Sequence, residues 1–318
     1  MSKNFVDSLI LFVKNCKLKI NSIFVNMNDF KNLIESSYSG YFNYLIQEIL
    51  HPSWSNYFYG LLIISLAVFL LELFFPWRKN QAVLRKDFWL DLFYMFFNFF
   101  FLNLIVLIAL SNVTEKLLSD FLLLFNLKLL SLQLFSVATM PKFLSLLLLF
   151  IFVDFIQWNI HRLLHKVPFF WNIHKTHHSV TEMGFAAHFR YNWMEPIIYK
   201  AFLYIPVAII GGFSVNDVFI VHFISIAIGH LNHANLNLDY GIFRYILNNP
   251  KMHIWHHSKE NPIKNGSNFG ISLSIWDYIF KTNYIPKDGR DIELGFANDD
   301  QFPQNFIQQE LYPFQKNN

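Results

Sequence analysis

Phe143 to His165 reads FLSLLLLFIFVDFIQWNIHRLLH. The stretch is apolar apart from Ser145 until Asp154 interrupts it, and it ends on two histidines four residues apart. A helix needs about 20 mostly apolar residues to cross a bilayer. One helix can therefore span and also carry imidazoles to its end. Similar runs lie on both sides. Ile49 to Leu71 and Leu92 to Thr114 contain no Asp, Glu, Lys or Arg, and Ala201 to Asn216 is parted from Val218 to Leu238 by Gly211-Gly212 and Asp217. Five spans are expected, near 54–75, 88–110, 143–160, 197–212 and 215–231.

Composition agrees with a membrane chain. Of 318 residues, 54% are hydrophobic and 15% charged, with 38 Phe, against a usual charged share of about 25%. That excludes a disordered chain and an ordinary soluble domain. A net charge of +3 is too small for a nucleic-acid reader, so no nucleic-acid partner is expected. The single cysteine, Cys16, excludes an internal disulfide framework, a Cys-ligated zinc site and a Cys-held iron–sulfur cluster. Against it stand 13 histidines.

Arg78, Lys79, Arg85 and Lys86 lie between the first two spans and mark that side as cytoplasmic. Counting crossings onward puts 161–196 and 232–318 on the same face. It also puts the N-terminus, with Lys3, Lys14, Lys17, Lys19 and Lys31, on the opposite one. The fold expected is an all-α membrane protein of about five transmembrane helices with a cytoplasmic helical cap holding the histidine boxes. Residues 1–53 are read as an amphipathic, interfacial segment, 54–285 as the membrane-embedded domain, and 286–318 as a polar C-terminal tail. Phe5 to Val13 is too short to span and lacks a cleavage site, so no signal peptide is read.

Ten of the histidines fall in four boxes: His161 and His165 in HRLLH, His174, His177 and His178 in HKTHH, His230 and His233 in HLNH, and His253, His256 and His257 in HIWHH. Spacings of three and four put side chains on one helix face. Grouped neutral imidazoles suit iron, copper, nickel or zinc. Ten exceed what one metal uses, so two metals a few ångströms apart are expected; such sites serve hydrolysis as well as oxidation. His51 and His222 stand alone and are read as ordinary structural residues, and His188 is left between a supporting and a local role.

Asp154 shares a helix stripe with Trp158, His161 and His165. An acidic residue at that depth is costly, which makes Asp154 the candidate catalytic carboxylate. It would act by accepting the free N–H of a ligating imidazole; the plainer alternative is a hydrogen bond to a neighbouring helix. Glu195 and Asp239 are the other carboxylates near the boxes, unranked by sequence. Asn249-Pro250 reads as a cap and first-turn proline that start the helix bearing His253, His256 and His257.

The ordered set HRLLH, HKTHHS, HLNHANL and NPKMHIWHHS, closed by NFGISLSIWDYIFKT at Asn268 to Thr282, resembles the fatty acid hydroxylase/sterol desaturase superfamily of membrane di-iron enzymes. The resemblance covers roughly 85–285, and His233 matches more firmly than His230. It implies two irons held by the ten histidines and dioxygen as co-substrate. It further implies hydroxylation, desaturation or oxidative cleavage of a fatty acyl, sterol or ether-lipid chain taken from the bilayer. No GxGxxG, P-loop or CxxCH motif is present, so electrons are expected from a separate donor such as a cytochrome b5, ferredoxin or reductase. The alternatives are a histidine-rich metal transporter or sensor and a haem-binding electron carrier. A transporter needs ligands through the spans, whereas these lie at their ends. A haem carrier needs two axial ligands and leaves both HxxHH boxes unused. An intramembrane metallohydrolase lacks its HExxH.

Overall fold

The computed structural model of the chain describes residues 27–52, 56–107, 116–123, 125–128, 133–263 and 265–315. Residues 1–26 and 53 of the expected interfacial segment, 54–55 of the first expected span and 108–110 of the second lie outside them. The described chain is mostly helical. Helix α1 covers Met27–Leu50 and α2 Tyr57–Phe74. Helix α3, Phe88–Met95, continues as a π-helical stretch over Phe96–Leu107. Then come α4 (Lys142–Lys166), α5 (Pro168–His178), α6 (Met194–Ile209), α7 (Val215–His233), α8 (Pro250–His256), α9 (Ile275–Ile279) and α10 (Phe306–Leu311). The only sheet among the described residues is a two-stranded parallel pair, β1 (Phe135–Ser136) on β2 (Ile210–Gly211), with Phe135 opposite Ile210.

Each of the five expected spans coincides with helix within the described residues. One of those helices, α4, is long and apolar enough on its own to cross a membrane, and only 28% of its most apolar stretch is buried. Its two halves differ. Phe143, Leu144, Leu147 and Ile151 are exposed, Phe143 to 73%, whereas Asp154, Trp158, His161 and Leu164 are buried. The same outward apolar face recurs along α2 and α3 and into the π-helical stretch, where Leu66, Leu70, Trp89, Phe93 and Phe96 are exposed. Inside, buried apolar residues form two clusters. One joins Leu61, Met95, Phe99, Phe185, Phe189 and Ile226, and the other Val180, Met183, Ile254, Trp255 and Leu294.

Local chemistry sets the corners that bring the boxes together. Val167 precedes Pro168 and is extended (φ −93°, ψ 120°), because a residue before proline is pushed out of the helical region. Helix α4 stops there, and Pro168 opens α5, where its missing N–H costs nothing. HRLLH and HKTHH thus sit on either side of one bend. Helix α7 begins with a reciprocal capping box in which Ser214 caps Asp217 N–H and the Asp217 carboxylate accepts from Ser214 N–H. The expected Asn249-Pro250 start of α8 is present, with Asn249 accepting from Met252 N–H at 3.0 Å.

Residues 286–315 are folded against the boxes. Ser258 pairs with Leu294, Gly295 N–H donates to His257 O, and Phe306 of α10 meets Phe93 and Phe97 edge-on and Tyr94 at a tilt.

Asp277 staples α4 to the segment that follows α8. Its buried carboxylate accepts from Trp158 Nε1 (3.0 Å), Phe269 N–H (3.0 Å), Gly270 N–H (2.8 Å) and Thr282 Oγ1 (2.6 Å). Each stranded buried donor costs about 1–3 kcal/mol. Asp277→Ala is therefore expected to cost roughly 4 kcal/mol or more, and Thr282→Val, which removes one donor, about 1 kcal/mol. Thermal unfolding of both variants in detergent checks the ordering; equal midpoints would contradict the staple.

Candidate metal centre

The two HxxHH boxes divide their histidines in opposite senses. His174 and His178 of α5 join His161, His165 and His256 in one group, and His253 and His257 join His177 and His233 in the other. Within each group one ligand-capable atom per residue lies within 4.8 Å of every other. At about 100° per residue, positions i and i+4 lie some 40° apart while i+3 falls on the other side of the first. Each box therefore sends its outer pair to one group and its middle histidine to the other. The groups touch where this exchange occurs: the His178 and His257 rings stack at 4.4 Å, and His174 and His177 at 5.1 Å.

Backbone carbonyls fix the ring protons. His161 Nδ1 faces Phe269 O at 2.8 Å, His256 Nδ1 faces Ser267 O at 2.7 Å, His177 Nδ1 faces Arg190 O at 3.1 Å, and His233 Nδ1 faces Gly229 O at 2.8 Å. A carbonyl only accepts, so Nδ1 carries the hydrogen in all four and Nε2 keeps its lone pair. Yet His177 Nε2 lies 3.2 Å from His233 Nε2, which is 3.0 Å from His253 Nε2. Opposed lone pairs at that distance repel unless a cation lies between them. Protonating an imidazole is resisted, because burial pushes His174, His177, His178, His253, His256 and His257 well below the usual imidazole range, and neighbouring imidazoles push them further. A metal ion in each group removes the conflict, and the residues present fit one. Nitrogen-only donor sets of this kind suit iron, zinc or copper.

The segment after α8 supplies much of this order. Asn268 takes a left-handed conformation (φ 56°) and its amide donates to Met252 O and Tyr284 O, so the carbonyls of Ser267 and Phe269 are aimed at His256 and His161. Gly266 (φ 81°) leaves room for the His165 ring, since a Cβ there would meet His165 Nδ1 at 3.0 Å; at Gly270 a Cβ would strike Leu273 O at 2.6 Å. Arg190, which presents its carbonyl to His177, is held from behind by Asp87 and Asp91, each at 3.2 Å, and Asp91 also binds Arg85. Asn98 donates to Phe189 O and Tyr191 O on either side of it.

Two expected site residues stand elsewhere. His230 is in neither group. Three residues before His233 it turns toward α2, with Nε2 3.0 Å from Ser65 Oγ and Nδ1 3.2 Å from His188 Nδ1. His188 in turn stacks on His233 at 5.2 Å. Asp154 accepts no imidazole N–H among the described residues. Its carboxylate takes Ser272 N–H at 2.8 Å, Leu273 N–H at 3.2 Å and Trp276 Nε1 at 2.9 Å. It orders the segment whose Phe269 carbonyl receives His161, one step further from the imidazoles than expected. The carboxylate beside an imidazole is Glu195: its Oε2 lies 3.1 Å from His174 Nδ1, short of the near-linear angle of a full hydrogen bond. No sequence spacing ties residues 174 and 195.

Comparison with known proteins matches residues 146–282 to the Fatty acid hydroxylase family, a stretch that starts in α4 and ends at Thr282 beside Asp277. The matched stretch is similar to a fatty acid hydroxylase domain and carries all ten box histidines. The chain is 27% identical over 177 residues to ornithine lipid hydroxylase OlsE of Rhizobium tropici, which covers 55% of this chain and 52% of that protein. It is 33% identical over 142 residues to alkylglycerol monooxygenase of Xenopus tropicalis (44% of this chain, 30% of the relative) and 31% identical over 135 residues to that of Homo sapiens (42% and 29%). The chain thus spans about half the length of the first relative and under a third of the others. No solved structure matches it.

The placement of His230 separates two substitutions. His177→Ala is expected to lose the ion of its group, and His230→Ala to keep both ions. Metal analysis of the purified variants checks this; equal loss in both would return His230 to the ligand set. Asp154→Asn is expected to weaken metal retention about tenfold, the low end for a supporting partner. An unchanged affinity would confine Asp154 to packing.

Proposed function

We propose that this chain is an integral membrane lipid hydroxylase that uses two irons, dioxygen and electrons from a separate donor protein. The observation that carries the proposal is the pair of adjoining histidine groups whose lone pairs are pinned toward one another. The relatives, named as a lipid hydroxylase and as monooxygenases, support oxygen insertion over removal of a hydrogen pair.

His161, His165, His174, His178 and His256 would hold one iron, and His177, His233, His253 and His257 the other. Bound there, the irons supply activation of dioxygen beside an unactivated C–H bond. Overall one oxygen atom enters the lipid as a hydroxyl and the other leaves as water, with two electrons and two protons supplied. The chain's own part is to keep the nine imidazoles neutral, fix their tautomers and enclose them away from bulk water. All nine but His165, which is partly buried, are buried.

The same helix that delivers His161 and His165 exposes an apolar face from Phe143 to Ile151. At about 1.5 Å per residue, Ile151 and His161 are some 15 Å apart along α4. That distance supports a site at the edge of a bilayer holding the apolar half. A lipid chain can then approach from the membrane while electrons arrive from the aqueous side. The basic 78–86 loop supports the cytoplasm as that side.

Lipids extracted from cells expressing the protein under isotopically heavy dioxygen test this. The expected product is a lipid carrying one heavy oxygen atom, absent with His177→Ala. An unsaturated product without heavy oxygen would replace hydroxylation with desaturation.

A further inference from the structure

The strongest unexplained contact at the metal centre lies within the matched stretch but is braced from a part of the chain outside it. Glu195 opens α6, and its buried carboxylate meets His174 Nδ1 at 3.1 Å. The turn before it is tied down from the C-terminus. Glu195 N–H donates to Asn192 O at 2.9 Å, and Asn192 Nδ2 donates to Glu310 O at 2.9 Å. Trp193 N–H donates to Glu310 Oε2 at 2.8 Å. Helix α10, which carries Glu310, is anchored by Tyr94 Oη donating to Gln309 Oε1 at 3.0 Å and by Gln309 Nε2 donating to Pro303 O at 2.7 Å. Asn192, Glu195, Gln309 and Glu310 are all buried.

His174 differs from its neighbours. His161, His177, His233 and His256 each have Nδ1 set by a backbone carbonyl, whereas His174 faces a carboxylate. His174 Nε2 lies 3.1 Å from His161 Nε2, whose lone pair is already fixed. For both to serve one ion, the His174 proton must reside on Nδ1. An acceptor there fixes the tautomer and ring orientation and raises ligand basicity.

We infer that Glu195 is a positioning residue for His174, and that the C-terminal segment around Glu310 is the strap that holds it in place. The inference rests on the dinuclear reading proposed above. The strap makes residues beyond the matched stretch part of the site's support. It acts on one of the two histidine groups.

The test uses the full chain, purified in detergent and loaded anaerobically with ferrous iron. Iron retention against a chelator gives affinity, and the Mössbauer spectrum reads the two irons separately. Glu195→Ala is expected to weaken one iron about 10–100-fold, the range for supporting partners of ligating histidines, and to shift one of two spectral components. Glu195→Gln, whose amide oxygen still accepts from Nδ1, should restore retention to within a few-fold. Glu310→Ala should shift the same component by less. Two irons held by Glu195→Ala with wild-type retention and spectrum would overturn the inference while leaving the dinuclear reading intact. Loss of both irons from Glu195→Ala with no recovery in Glu195→Gln would also overturn it, as a general failure of the fold. An unmoved component in Glu310→Ala would remove the strap. Wild-type protein holding fewer than two irons would defeat the dinuclear reading itself, and the inference with it.

Discussion

Nine imidazoles buried together, several with lone pairs turned toward one another, form an arrangement that is unfavourable without a positive charge at its centre. The rest of the structure is organised around holding it. Carbonyls of Gly229, Arg190, Ser267 and Phe269 fix four ring protons on the outer nitrogens. Those carbonyls come from three different parts of the chain. Each is itself held: Arg190 by buried aspartates, Ser267 and Phe269 by Asn268 and Asp277, Gly229 by the last turn of α7. A buried polar network of this kind is costly when partly satisfied. The number of supporting hydrogen bonds follows from that cost.

The inverted distribution of polarity has the same origin. Histidines and carboxylates are buried while Leu and Phe of α2, α3 and the first half of α4 face outward. In water this outward face would be an aggregation hazard. Against lipid tails it is the expected surface, which is the setting that the proposed lipid hydroxylase would need.

Much of the site was legible because helix periodicity is local. HxxHH groups its histidines along one side of a helix, and Asn249-Pro250 marks the start of α8, whereas the bend at Val167-Pro168 emerges only in the structure. The allocation between groups depends on which side of each helix faces the other, and that is a matter of packing. HLNH shows the limit: His233 turns inward and His230 toward Ser65, and a spacing of three permits either. Asp154 was visible as a buried carboxylate, but its partners, Ser272, Leu273 and Trp276, lie more than a hundred residues on. Glu195 was visible only as one of two nearby acids. The C-terminal segment reads as a polar tail because its contacts, such as Glu310 to Trp193, are made by single residues without a periodic apolar pattern.

The central claim is that the two histidine groups each hold one metal ion. Anomalous X-ray scattering from crystals of the iron-loaded protein, collected at the iron edge, tests it most directly. The account predicts two peaks per chain, one among His161, His165, His174, His178 and His256 and one among His177, His233, His253 and His257. A single peak shared by both groups, or iron bound away from them, would contradict it.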